Sequence, residues 1–199
     1  LKRRNQHYAD VAASVQRFTE EAVLKMAMHL RRTTGMKNCC MAGGVALNGI
    51  ANMRVLDRAG FDRIFIQPAA GDAGGALGAA QYAWHALLGH PREFTLEQAY
   101  WGEEYGSHAI GRALAGTGAE EIATDDEVIE RAVEDLVRGR VVGWFQGRFE
   151  WGPRALGNRS ILADPRAAQM KGTVNHKIKF REPFRPFAPA VIEAAVSTL

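Results

Sequence analysis

Two short apolar segments, each running into glycines and then into a helical pattern, constrain the fold of this chain more than any other feature. Asn38-Cys39-Cys40-Met41-Ala42 leads into Gly43-Gly44 and a helix through about Ala59, closed by Gly60. Phe61-Asp62-Arg63-Ile64-Phe65-Ile66-Gln67 alternates as a strand does and Pro68 ends it. Gly71-Asp72-Ala73-Gly74-Gly75 then opens a small-residue helix reaching about Leu88. Ahead of both, Val11, Val15, Phe18, Ala22, Met26 and Leu30 recur at helical spacing and Gly35 follows as a stop, which predicts an amphipathic helix over roughly 8–33. Helix, strand, helix, strand, helix is α/β layering.

His90-Pro91 breaks this pattern. Residues 91–123 read as a polar, glycine-punctuated connection with one short helix near Ala109 to Leu114. Asp125-Asp126 is expected to cap a helix whose apolar face is Val128, Ile129, Ala132, Val133, Leu136 and Val137, with Glu127 adding negative charge to its first turn. Gly139 ends it, and Val141-Val142-Gly143-Trp144-Phe145 is a buried-type strand. The expected organisation is one domain over 1–95, a linker over 96–123 and a second domain over 124–199.

That last strand delivers the chain into Gly147-Arg148-Phe149-Glu150-Trp151-Gly152-Pro153-Arg154-Ala155-Leu156-Gly157-Asn158-Arg159-Ser160, which sets three guanidinium groups among three glycines and a proline. Arginine presents a rigid fork of donors matched to phosphate and carboxylate oxygens, and glycine lets backbone N–H groups approach a ligand without a Cβ in the way. Residues 145–190 hold nine Lys/Arg against Glu150, Asp164 and Glu182, a local charge of +6 in a chain whose net charge is +3. The remainder is net acidic, so the positive charge is a local device. Basic runs are commonly solvated faces or nucleic-acid patches, but here Trp151, Leu156, Ile161 and Leu162 alternate with arginine as in a pocket wall. Asp164-Pro165-Arg166 reads as a turn. The three prolines of Arg181-Glu182-Pro183-Phe184-Arg185-Pro186-Phe187-Ala188-Pro189 fix an extended backbone and the aim of its two arginines.

Three smaller signals carry less on their own. Gly43-Gly44 before a helix has the geometry in which backbone N–H groups receive a nucleotide, and it also serves as a plain tight turn. Asp72 at a helix mouth is either an N-cap or a metal or Mg²⁺-phosphate ligand. His85 and His90 are five apart and do not share a helical face, and no His-x-x-x-His occurs, so the histidines form no metal site of their own. A P-loop is absent.

At 199 residues the chain is long enough for one or two domains. It has no stretch of eighteen apolar residues and no apolar run behind its N-terminus, so neither a membrane span nor a signal peptide is supported, and a cytoplasmic location is expected. The cysteines, Cys39 and Cys40, are adjacent and would point to opposite faces of a strand, as free thiols suited to a reducing compartment. The chain begins on Leu and reads as a fragment.

Taken together, Met41 to Asn48, Pro68 to Ala80, Gly147 to Ser160 and Arg181 to Pro189 resemble the O-carbamoyltransferase family, the group of the nodulation-factor, tobramycin and cephem carbamoyltransferases. The resemblance implies an N-terminal domain of the actin, heat-shock ATPase and sugar-kinase superfold (ASKHA) followed by a YrdC-like domain, this chain holding the later part of the first and the start of the second. It further implies that carbamoyl phosphate and ATP form carbamoyl-adenylate, whose carbamoyl group passes to a hydroxyl of a small acceptor. By motif, Arg154, Lys179 and Arg185 are implied to hold carbamoyl phosphate, with Arg148 and Arg159 contacting ATP or the loop itself. Gly43, Gly44 and Asn48 match a nucleotide-binding turn, and Asp72 matches an aspartate that helps bind iron or another divalent metal. Members of the family take their histidine ligands from an earlier His-x-x-x-His segment that is absent here, so a metal site in this chain is expected to be incomplete. The isolated fragment is expected to be inactive or to retain weak ligand binding.

The expected partner is a small hydroxylated acceptor, with no nucleic acid and no membrane, and a homodimer stays open. Two rivals stand beside this reading. An ATP-dependent kinase of the same superfold would explain the glycine turn and Asp72 but not the Arg/Gly/Pro segment. A nucleic-acid-binding module would use the basic segment and show steep salt dependence.

Overall fold

The computed structural model describes residues 2–198. Its chain divides into two compact units: one runs to Trp101 and includes Trp151–Arg154, and the other comprises Gly102–Glu150 and the chain from Ala155 onward.

In the first unit, α1 (Lys2–Thr34) precedes β1 (Asn38–Met41), a 3₁₀ turn (Gly44–Leu47), α2 (Gly49–Arg58), β2 (Arg63–Ile66) and α3 (Gly74–Tyr82), which continues as a π turn over Ala83–Leu87. The two strands pair in parallel, Asn38 opposite Arg63 and Met41 opposite Ile66. Helix α2 is the crossover that a parallel pair requires. Its start is fixed locally, because the Asn48 side chain accepts the Ala51 N–H at 3.2 Å. The core consists of Ala27, Cys39, Val55, Ala59 and Phe61, with Val23, Leu24, Met41 and Ile64 packed against it. Val55 is fully buried, and a side chain of that size stabilises a fold by about 1.5–3 kcal/mol when taken from water. Cys39 is buried and Cys40 exposed, as the alternation of a strand dictates, and both are free thiols. Burial pushes the Cys39 thiol pKa up.

Helix α1 corrects one expectation. Its stripe of Val11, Val15, Phe18, Met26 and Leu30 is exposed, Phe18 at 73%, and the face that meets the core is Val23, Leu24 and Ala27. The helix carries two apolar stripes about one residue apart in rotation, and the second has the small side chain, Ala27, that lets α2 approach closely. On that same face Glu20 is buried at 5% and bonded to Arg54 at 2.7 Å and to Gln16 Nε2 at 2.7 Å. Gln16 in turn exchanges hydrogen bonds with Asn48 at 2.9 and 3.2 Å, so a polar chain links α1 to the mouth of α2.

In the second unit, α4 (Ser107–Leu114) and α5 (Asp125–Val137) precede an antiparallel hairpin of β3 (Val142–Phe145) and β4 (Arg159–Leu162), then α6 (Met170–Thr173), which passes into a π turn over Val174–Ile178. The hairpin sets Val142 opposite Leu162 and Phe145 opposite Arg159, so Ile161 and Leu162 are strand residues. The cap of α5 is Thr124, with Asp125 and Asp126 inside the first turn. Its hydroxyl accepts the Glu127 N–H at 3.3 Å, while the Glu127 carboxylate accepts the Thr124 N–H at 3.2 Å. This reciprocal box satisfies two otherwise orphaned donors, and the acids after it favour the positive end of the helix dipole.

Candidate functional site

The parallel register ends β1 and β2 at the same level, so the glycine turns that follow them lie side by side. The Gly43 N–H donates to the Ala70 carbonyl at 2.7 Å, and Gly43 has φ 101°, a conformation that disfavours a side chain. Ala69 and Ala70 are buried beneath this junction. The carboxyl ends of parallel strands are where α/β sheets place ligands. A third segment of the same unit joins the turns. Trp151 donates its indole N–H to Gln67 Oε1 at 3.2 Å, and Gln67 also brackets Ala69, accepting its N–H at 3.0 Å and donating to its carbonyl at 2.7 Å. Gly152 has φ 108°, and a Cβ on it would lie 2.5 Å from the Pro68 carbonyl oxygen. The segment Trp151–Arg154 is therefore seated on the turn after β2 by a contact only glycine permits, and it carries an exposed Arg154. Arg154 shares a unit with Gly43, Gly44, Asn48 and Asp72.

Asn48 spends its side-chain oxygen on the α2 cap and its amide on Gln16, so it shapes the helix mouth. Asp72 does not cap α3: Ala73 occupies the cap position with no side-chain bond, and the Asp72 residue is exposed. Among the described residues no three His, Cys, Asp or Glu side chains come together as a metal-binding set. The described residues around Asp72 do not by themselves make up a complete divalent-metal site. His85 and His90 meet through a ring nitrogen to carbonyl contact of 3.0 Å, with Trp84 stacked on His90 at 3.8 Å.

In the second unit the loop between β3 and β4 is organised by two side chains of opposite charge. Glu150 Oε1 accepts the backbone N–H groups of Leu156, Asn158 and Arg159 at 3.0, 2.9 and 3.0 Å. Burial pushes the Glu150 carboxyl up, but the N–H groups of Leu156, Arg159, Glu150 itself and Asn158 outweigh it and hold the pKa below the ordinary carboxylate value. Arg159 does the converse. Its guanidinium donates to the carbonyls of Gln146, Asn158 (3.0 Å) and Gly147 (3.0 Å), and it lies 3.5 Å over the Phe145 ring and 4.0 Å over that of Phe149. Those bonds and rings occupy the fork that a ligand would need, so Arg159 contacts the loop itself. Arg148 is more than half exposed and pairs loosely with Glu104 at 3.6 Å.

Further along, Arg166 is folded back on Asp164 at 2.6 Å, Arg185 pairs with Glu182 at 2.8 Å, and Lys179 is exposed. Its own backbone N–H, then Arg185, hold the Glu182 pKa low. The Arg185–Glu182 pair is half exposed on both sides. Exposed pairs contribute little, so an anionic ligand could take the place of Glu182 at small cost. Arg154 and Lys179 make no ion pair among the described residues.

Residue-type reasoning missed Gln67, Glu150 and Asn175. Glu150 had a signal, as the single acid among the arginines and glycines of residues 147–160. Gln67 and Asn175 had none, because each acts through partners that only folding supplies. A groove of about 510 Å³ in this unit lies along α5 and β3, lined by Asp125, Ile129, Asp135, Trp144 and Gln146 among others.

Comparison with known proteins places both halves of the chain in one family. Residues 1–81 match the carbamoyltransferase N-terminus and residues 133–199 the carbamoyltransferase C-terminus. Nodulation protein NolO of Bradyrhizobium diazoefficiens is 45% identical over 196 residues, covering 96% of this chain and 35% of the relative. Nodulation protein NolNO of Sinorhizobium fredii is 47% identical over 191 residues, with 94% and 28% covered. The 3'-hydroxymethylcephem-O-carbamoyltransferase of Streptomyces clavuligerus is 34% identical over 150 residues, with 75% and 27% covered. The chain thus spans about a third of the length of the curated relatives it matches.

Proposed function

From the premise that this chain belongs to the carbamoyltransferase family, matching both of its parts in order, we propose that the whole protein transfers a carbamoyl group from carbamoyl phosphate to a hydroxyl of a small molecule. The observation that carries this reading is the family match over 133–199, which spans the cationic segment with exposed Arg154, Lys179 and Arg185. A relative 34% identical is by name an O-carbamoyltransferase acting on a hydroxymethyl group.

The finer reading follows the chemistry. The N-terminal part is of the ASKHA superfold and the C-terminal part is YrdC-like. Lys179 and Arg185 hold the oxygens of carbamoyl phosphate, Arg148 supports the ATP phosphates with which carbamoyl-adenylate is made, and Arg154, on the first unit, serves the same carbamoyl transfer as a separate anion contact. Water first displaces inorganic phosphate from carbamoyl phosphate to give carbamate, whose oxygen attacks the α-phosphorus of ATP as pyrophosphate leaves; preorganised guanidinium and ammonium groups stabilise the negative charge gathered as the phosphorus centre expands. In the second step the acceptor hydroxyl oxygen attacks the carbamoyl carbon, its proton is lost, and AMP leaves. The N–H groups of Gly43 and Gly44 serve the nucleotide, while Asn48 acts by holding the helix mouth. Asp72 contributes one ligand to a divalent metal completed outside this chain. No helix among the described residues is long and apolar enough to cross a membrane, and we place the activity in the cytoplasm.

The test is turnover by the full-length protein with carbamoyl phosphate, ATP and a panel of hydroxylated acceptors. AMP released in step with carbamoyl phosphate supports the reading. ADP formed without loss of carbamoyl phosphate would instead indicate the kinase alternative.

A further inference from the structure

We propose that Asn175 is a positioning residue that sets Lys179 and Arg185 in their working places; this rests on the carbamoyl-phosphate reading of those two cations. Asn175 is 0% exposed, the most deeply buried polar residue of the second unit among the described residues. All of its hydrogen-bonding capacity is turned on the segment that bears the two cations. Its Oδ1 accepts Arg181 Nε at 2.7 Å, and its Nδ2 donates to the carbonyls of Pro183 at 3.3 Å and Arg185 at 3.1 Å. Its backbone carbonyl accepts the Arg181 N–H at 2.9 Å.

The segment needs such a fastening. Phe180, between Lys179 and Arg181, has φ 48°, the only non-glycine residue with positive φ among those described. A bulky side chain there costs about 1–3 kcal/mol and persists only where its surroundings hold it. The three prolines that follow have no N–H to donate, so that stretch has fewer backbone donors with which to fasten itself. Asn175 takes the Pro183 carbonyl, and Arg181 Nη2 takes that of Pro186 at 3.3 Å while stacking over Phe187 at 4.7 Å. Arg181 is therefore turned inward as part of the fastening, whereas Arg185 and Lys179, on either side of the strained residue, remain exposed. A buried amide that both donates twice and accepts once is matched to this arrangement. Aspartate, of the same shape, has no donor to offer, and buried groups left unpaired are costly.

The experiment is steady-state kinetics of full-length Asn175→Asp and Arg181→Lys against wild type, with carbamoyl phosphate varied at saturating ATP. A merely structural role would lower the fraction of folded enzyme, and with it the apparent kcat, without changing KM. A positioning role raises the KM for carbamoyl phosphate by about ten- to a hundredfold in soluble enzyme, since small misplacements cost that much. Arg181→Lys, which keeps the charge but loses Nε, reads the same coupling from an accessible position should Asn175→Asp not fold. An unchanged KM in the soluble variants overturns the positioning role alone. A wild type with no carbamoyl-phosphate-dependent turnover overturns the functional reading instead.

Discussion

Glu150 and Arg159 hold one loop by its two opposite polarities: the carboxylate accepts the Arg159 N–H at 3.0 Å, while the Arg159 guanidinium reaches the carbonyls of Gln146 and Gly147. A loop rich in glycine has much conformational entropy to lose. Two charged side chains clamping its donors and acceptors offset that loss and leave Arg148 exposed, paired only loosely with Glu104.

Arg159→Lys tests the clamp. Lysine keeps the charge but loses the fork and the stacking on Phe145 and Phe149. Urea unfolding followed by tryptophan fluorescence should show a loss of about 1–3 kcal/mol. A ligand-only role for Arg159 predicts no change in stability.

Glu150 gives the loop a pH dependence of definite sign. Its pKa is depressed in the folded state, so its contribution is fully present above the ordinary carboxylate range and is lost as pH falls through the folded value. Wild type should lose stability on acidification more steeply than Glu150→Gln. The depressed carboxyls of Asp164, beside Arg166, and Glu182 add the same trend in both proteins. Parallel pH profiles would remove Glu150 from the clamp.

Gly152→Ala should unseat the segment carrying Arg154. Its Cβ would meet the Pro68 carbonyl at 2.5 Å from a φ of 108°, a cost of about 2 kcal/mol or more. Gly78→Ala in α3, where a Cβ meets nothing within 4 Å, should instead stabilise by about 0.5–1 kcal/mol. Thermal unfolding of the two variants should move in opposite directions.

Arg54→Met should leave Glu20 buried without its charged partner, held only by the Gln16 amide. The Glu20 side chain is 6% exposed and that of Arg54 38%, so the loss is expected near the lower end for a broken buried pair, about 1–3 kcal/mol. The double variant Arg54→Met with Glu20→Gln should recover part of it; no recovery would mean that the pair is not coupled.

Arg154→Lys in the full-length enzyme should depress carbamoyl-phosphate use by about tenfold or more while leaving stability within about 0.5 kcal/mol, as for an exposed residue. An unchanged kcat/KM would strike Arg154 from the ligand set.

What the sequence by itself determined was local. The strands at Asn38–Met41 and Arg63–Ile66, the helices between and after them, and the concentration of arginine, glycine and proline after Phe145 all follow from periodicity, turn chemistry and charge. Family membership was legible because those motifs recur in order. Tertiary structure decided which of two apolar stripes on α1 meets the core, because that depends on the close approach of α2 to Ala27. It also decided which cations face outward. Arg159 and Arg181 turn onto backbone carbonyls, whereas Arg154 and Lys179 remain exposed. Nothing in an arginine's own neighbours along the chain separates these fates. The seat of Arg154 depends on Trp151 reaching Gln67, 84 residues earlier, and such long-range partners leave no periodic trace in sequence.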